Sequence, residues 1–146
     1  MEDIRLSEHF MLHEFTRSAT ALDLGIDNCP PRVAIGCLQI LCERVLEPLR
    51  RRFGVIRITS GYRCEALNKA VGGAKNSLHR FGLAADIHIG SMEEGRKMFE
   101  YIRQNLLFDE LLFEHSASRG TQWIHVAVRP DEKRNRRKAI ADYAAT

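Results

Sequence analysis

The chain has 146 residues, 22 of them Lys or Arg and 19 Asp or Glu, for a formal charge of +3. That length suits one domain and buries roughly 68–70% of the surface an unfolded chain exposes, enough for a core without covalent staples. With 45% hydrophobic and 28% charged residues, the composition excludes disordered and collagenous classes, and no apolar run approaches the ~18 residues of a membrane span. The opening MEDIRLSEHF lacks the basic and apolar regions of a secretory signal. The sequence therefore reads as a product made in the cytoplasm that stays there until something else releases it.

In chain order, residues 8–20 predict a short amphipathic helix, followed by a turn-rich stretch through Asp27, Asn28, Pro30 and Pro31. The Pro30-Pro31 pair is a helix start signal. Leu38, Leu41, Cys42, Val45, Leu46, Leu49 and Phe53 then recur at i, i+3, i+4 spacing, the stripe of a helix laid on a core. Pro48 predicts a kink in that helix and Gly54 its end. Cys37 and Cys42 fall within the pattern as small hydrophobes. With Cys29 and Cys64 they form no CxxC pair, which argues against a disulfide framework or a four-cysteine metal site.

The β-branched VIRIT run at 55–59 predicts a strand, residues 65–71 a short helix closed by Gly72-Gly73, and residues 83–89 a second strand. Ser91-Met-Glu-Glu94 is a capping box for a helix carrying Met98, Phe99, Ile102 and Leu106 on one side. Residues 108–115 and 122–128 predict a hairpin around the polar loop 116–121. The stretch from Pro130 reads as a basic, weakly helical tail. Helices early and antiparallel strands late predict an α+β domain over 1–130, with helices on one face of a small antiparallel sheet, and a basic tail over 131–146. That tail region matters for the charge: residues 129–146 hold six basic and three acidic residues, leaving sixteen of each sign in the first 128. A cationic tail suits an anionic surface such as a cell wall; a solvated terminal helix is the alternative.

Two of the six histidines stand in informative company. His79 lies in SLHRFGLAAD, with Asp86 seven positions on and Gly82 between them; His125 lies in WIHV. Two imidazoles and a carboxylate, with a fourth position left for water, are the donor set of a catalytic zinc site. A single histidine on a strand is more often structural than a ligand, so the reading rests on the three residues together. His88 is placed by alternation on the same strand face as Asp86. His9 and His13 at i, i+4 have no Glu arranged as in a zinc-protease helix, and predict a solvated face.

The ordered set SxHxxGxAxD and WxHV, with Ser60-Gly-Tyr-Arg63 upstream and the stretches LSEHFMLHEFTRSATA, PLRRRFGVIRITSGYR and LNKAVGGAKNSLH, resembles the zinc D-Ala-D-Ala carboxypeptidases and related peptidoglycan endopeptidases, including phage endolysin-like members, whose fold is shared with the hedgehog signalling domain. The resemblance covers nearly the whole chain. It implies one zinc ion held by His79, Asp86 and His125, with Arg63 reaching the substrate carbonyl or carboxylate. Ser77, Tyr62 and Trp123 are candidate substrate-binding residues; for them a loop cap and core packing are the alternatives.

Many relatives carry Asp or Glu three residues before the final histidine, where this chain has Gln122. An amide cannot take a proton from water, so the base is sought elsewhere. A hairpin centred near Arg119-Gly120 puts Glu114 opposite His125, and directly opposed residues share a face with Cβ atoms ~4.5–5.5 Å apart. Glu114 is therefore the candidate general base. An ordinary strand glutamate or a partner of a metal ligand is its alternative role. The expectation is a monomeric zinc metallopeptidase that cuts amide bonds of peptidoglycan stem peptides, with no specific nucleic-acid or membrane partner. Such an enzyme without a leader suggests phage-mediated release to the wall. Gln122 motivates a rival, a non-catalytic wall- or protein-binding module that keeps the fold.

Overall fold

The computed structural model describes residues 2–116 and 118–141. The first helix expected is two: α1 (His13–Thr16) and α2 (Ala19–Leu24). The break falls where Arg17 and Ser18 are extended and the Ser18 side chain accepts the Ala21 N–H. A Ser at this point competes for backbone donors and starts a new helix instead of continuing the old one. Residues 8–12 are irregular, and His9 is tied by its ring and backbone nitrogens to the buried Glu47 carboxylate.

Pro31 is the N-cap of α3 (Arg32–Leu41), as its position predicted. The expected kink at Pro48 takes the form of a π-helical turn at Cys42–Leu46 that leads into α4 (Glu47–Phe53), with Pro48 in the first turn of α4. Proline lacks the N–H and its ring crowds the carbonyl four residues back; a wider turn just before it absorbs both. Gly54, at φ 86°, ends α4.

Five strands follow: β1 (Ile58–Ser60), β2 (Ala84–His88), β3 (Glu110–Ser116), β4 (Thr121–Ala127) and β5 (Lys138–Ala141). Their order across the sheet is β1-β2-β4-β3-β5. The sheet is mixed and not purely antiparallel as expected, because β5 runs parallel to β3, with Leu111 opposite Ala139. The basic segment read as weakly helical thus supplies a strand, preceded by a single 3-10 turn at Glu132–Arg134. Helices α5 (Glu65–Ala70) and α6 (Met92–Asn105) link the strands, α6 being capped by Ser91 as its motif predicted.

Alternation divides the sheet. Ala85, Ile87, Leu111, Phe113, Ile124 and Val126 are fully buried against Met98, Phe99 and Ile102 of α6 and the Leu38–Leu49 stripe of the α3–α4 rod. Each such Leu, Ile or Phe contributes about 1.5–3 kcal/mol of burial. The opposite face carries Asp86, His88, Glu110, Leu112, Glu114, Trp123 and His125. A packed apolar layer on one side thus aims a set of polar side chains to the other.

Candidate metal centre

His79 stands on a 3-10 turn (Leu78–Phe81) that ends at Gly82, φ 75°, a left-handed position any side chain would strain. There the backbone passes close under the Ala34 carbonyl. That reversal carries the chain straight into β2, so His79 and Asp86 converge. Asp86 is paired with His125 across β2 and β4. The inward atoms lie close: His79 Nε2 is 3.3 Å and His125 Nδ1 3.1 Å from Asp86 Oδ1. The two rings sit 5.2 Å apart, with His79 and His125 only 3% and 9% exposed.

The outward nitrogens fix what the inward ones can do. His79 Nδ1 is 2.7 Å from the Gly61 carbonyl, and His125 Nε2 is 3.0 Å from Glu110 Oε1. Both partners only accept, so both outer nitrogens carry hydrogen. Each neutral ring then presents a lone pair inward, where it meets another acceptor, the Asp86 carboxylate. Three acceptors aimed at one point need a positive charge among them. A divalent cation satisfies that arrangement, and these donors suit zinc. Without one, the proton takes its place: burial disfavours charge on His125, but Asp86 and Glu110 overturn this and lift its pKa to about 9. Burial pushes Asp86 the other way, yet hydrogen bonds from His125 and His79 hold its carboxyl far below the usual range.

The strand that ends at Ser60 delivers Arg63. Its Nε donates to Ser60 Oγ (3.3 Å), one terminal nitrogen to Asn68 Oδ1 (3.3 Å), and the other lies 3.8 Å from Asp86 Oδ2. Buried Asn28, read from sequence only as a turn residue, organises this loop: it donates to the Thr16 and Tyr62 carbonyls and accepts the Cys64 N–H. Gly61 is obligatory, since a Cβ there would stand 2.7 Å from the Phe15 backbone. Ser77 Oγ accepts the His79 N–H. Tyr62 is buried, in contact with the core, and Trp123 is half-buried across from Glu114 and His88. His88 is exposed on the metal face, outside the His79–Asp86–His125 group.

The hairpin register differs from the expected one by two residues. Leu112, not Glu114, lies opposite His125, and Glu114 lies opposite Trp123. The slip is even, so Glu114 keeps the metal face, and its charge still acts on the Arg63 guanidinium. It borders a cleft of about 390 Å³ with Leu112 and Trp123, and its carboxylate has no hydrogen-bond partner among the described residues. Gln122 pairs with His115, and alternation along β4 places it on the other face from His125.

The residue missed is Glu110. Besides His125 it binds Arg136, whose terminal nitrogen is 3.0 Å from Glu110 Oε2 and 2.9 Å from Asp109 Oδ2. Asp109 is fully buried, and takes Arg136 through its backbone N–H and Nε as well, with Arg129 at 3.3 Å. The segment expected as a basic, weakly helical tail therefore clamps the carboxylate that orients His125. Alternation of β3 alone would have put Glu110 on the metal face; only the register reveals its reach.

A family model described as Peptidase M15 matches residues 8–127, a span that contains all three candidate ligands, Arg63 and both glutamates. No curated protein matches the chain.

Proposed function

The chain belongs to the M15 peptidase family, and from that premise we propose that it is a zinc enzyme hydrolysing amide bonds in the stem peptides of peptidoglycan. The observation that carries the reading is the convergence of His79 Nε2, Asp86 Oδ1 and His125 Nδ1 with their outer nitrogens already engaged. Zinc held by these three residues supplies Lewis acidity for a carbonyl and a bound water acidified toward pKa ~7. The rest is the work of the chain. Asp86 brings the negative charge that offsets the cation, while Gly61 and Glu110 hold the two rings in register. Arg63, anchored by Ser60 and Asn68, presents its planar fork to an oxygen that gains charge as the amide carbonyl is attacked.

Glu114 is the proton carrier. Both Glu110 oxygens are occupied, by His125 and Arg136, whereas the Glu114 carboxylate is free to accept a proton from water and return it to the departing amine. Trp123 walls the cleft beside it. The peptidoglycan substrate is supported by the resemblance of the SxHxxGxAxD and WxHV motifs to wall peptidases. The rival reading as a non-catalytic module drew on the missing acid at Gln122; the Glu114 carboxylate, on the metal face and without a hydrogen-bond partner among the described residues, favours the enzyme over it.

Among the described residues no helix is long and apolar enough to cross a membrane. Action on the wall after release by a separate, phage-type factor is part of the same proposal. The test is mass analysis of purified sacculi before and after digestion by zinc-loaded protein. New amines and shortened muropeptides are expected. Unchanged muropeptides, or failure to bind zinc, overturn the proposal.

A further inference from the structure

One row of side chains crosses the metal face of the sheet: Asp86 is paired with His125, His125 with Leu112, and Leu112 with Ile140. Neighbouring strands lie about 4.8 Å apart, so Ile140 stands roughly 10 Å from His125. The strand order puts it on the flank away from β1 and the Arg63 loop. Ile140 is 49% exposed, and with Leu112 and Trp123 it walls the cleft of about 390 Å³ that Glu114 borders. The other lining residues, Phe113 and His115, belong by alternation to the opposite face. Three apolar side chains and one carboxylate therefore face the opening, and among the described residues no Lys or Arg lines it. An acidic group entering there would meet Glu114 with no cation to offset the repulsion, whereas aliphatic carbon gains by leaving water. The family match ends at residue 127, so β5 and Ile140 lie outside it. The grip of Arg136 on Asp109 and Glu110 holds the start of β5 in place.

We propose that Ile140 is a specificity-determining residue: with Leu112 and Trp123 it binds an uncharged aliphatic side chain of the peptide substrate, on the flank of the scissile amide away from Arg63. Glu114 turns acidic side chains away from the same cleft. This rests on the peptidase reading and deepens it by naming the substrate chemistry that the C-terminal strand selects.

The experiment uses zinc-loaded protein and stem-type peptides in which norleucine, alanine or glutamate occupies each position around the scissile amide in turn. Norleucine adds three methylenes to alanine, and their half-burial predicts a roughly tenfold gain in kcat/KM at one position, carried by KM. Glutamate at that position should fall below alanine. Ile140→Ala should narrow the norleucine preference to about threefold, and Ile140→Leu should restore it. Trp123 is the one tryptophan of the chain, so its emission reports on this cleft alone. A ketomethylene analogue of the norleucine peptide, which cannot be cleaved, should shift that emission saturably, with a higher midpoint in Ile140→Ala. Saturable shifts without turnover of any peptide would sink the peptidase reading and leave the cleft assignment standing. Cleavage with equal handling of the three peptides at every position, a preference unchanged in Ile140→Ala, or an emission that the analogue does not move overturns the assignment and leaves the peptidase reading intact.

Discussion

Replacing Glu110 by Leu tests whether the carboxylate behind His125 matters for metal binding. The change removes the acceptor 3.0 Å from His125 Nε2 and leaves Arg136 with Asp109 alone. The imidazole side chain is 11% exposed, so water replaces the lost acceptor poorly. An unsatisfied buried N–H costs about 1–3 kcal/mol, and loss of an outer partner of a metal-binding histidine typically costs 10–100-fold in affinity. The two figures agree, since 1.4 kcal/mol is about tenfold. Proton competition acts in the opposite sense: Asp86 and Glu110 also lift His125 to about 9 in the metal-free protein, so near neutrality the wild type must shed a proton that the variant holds less firmly. The assay is therefore competition with a chromophoric chelator at pH 7 and at pH 9.5. The variant should bind zinc ~10–100-fold more weakly at the higher pH, with a smaller gap at pH 7. Glu110→Gln, whose amide oxygen still accepts the N–H, should recover most of the loss. Equal affinities of Glu110→Leu and wild type at pH 9.5 would refute the reasoning.

Glu114→Gln should lower turnover of a stem peptide by about 10²–10⁴-fold, the usual contribution of a positioned proton carrier, while zinc affinity by the same chelator assay stays at the wild-type value; retained turnover removes Glu114 from the mechanism. Burial works to raise the pKa of Asp109, but hydrogen bonds from Arg136 outweigh it and hold the carboxyl below its ordinary value. Its stabilisation is thus present above the unfolded value of ~3.9 and lost as pH falls further. Urea midpoints measured from pH 6 down to pH 3 should drop for the wild type and run flatter for Asp109→Asn; parallel curves would count against the clamp. Gly61→Ala forces a Cβ to 2.7 Å from the Phe15 backbone and should cost about 1–3 kcal/mol by urea unfolding, the usual cost of overpacking. A wild-type midpoint would mean that this contact is not tight.

The parts of the fold legible in the sequence are those where local chemistry and tertiary need coincide. Ser91 caps α6 and Pro31 opens α3 because the same residue types satisfy orphan donors or preset φ wherever they occur. The candidate ligands His79, Asp86 and His125 were legible because a metal demands residue types with few substitutes. The hairpin register was not. Centring the turn on Arg119-Gly120 fits the glycine, but Ser116 pairs with Thr121, and Gly120 at φ 64° stands just before β4. A shift of one residue in the turn centre moves every pairing by two. Face and polarity survive such a slip, so Glu114 remained a sound candidate while its opposite residue changed and Glu110 was overlooked. The strand β5 was hidden for another reason. Its neighbours are Arg and Lys, and what holds it is the long-range grip of Arg136 on buried Asp109, which no local pattern encodes.

The short strands at the two rims of the sheet bear on behaviour at high concentration. Unpaired rims are templates onto which other chains can add a strand, and proteins blunt them with brevity and positive charge. One rim here is the three-residue β1, which breaks register between Ile58 and Ser60. The other is the four-residue β5, which opens on Lys138 directly after Arg136 and Arg137. The basic C-terminal stretch thus has a second consequence besides architecture: it covers the longer, more apolar β3 and leaves at that rim a short strand with positive charge at its start, features that disfavour strand addition by another chain.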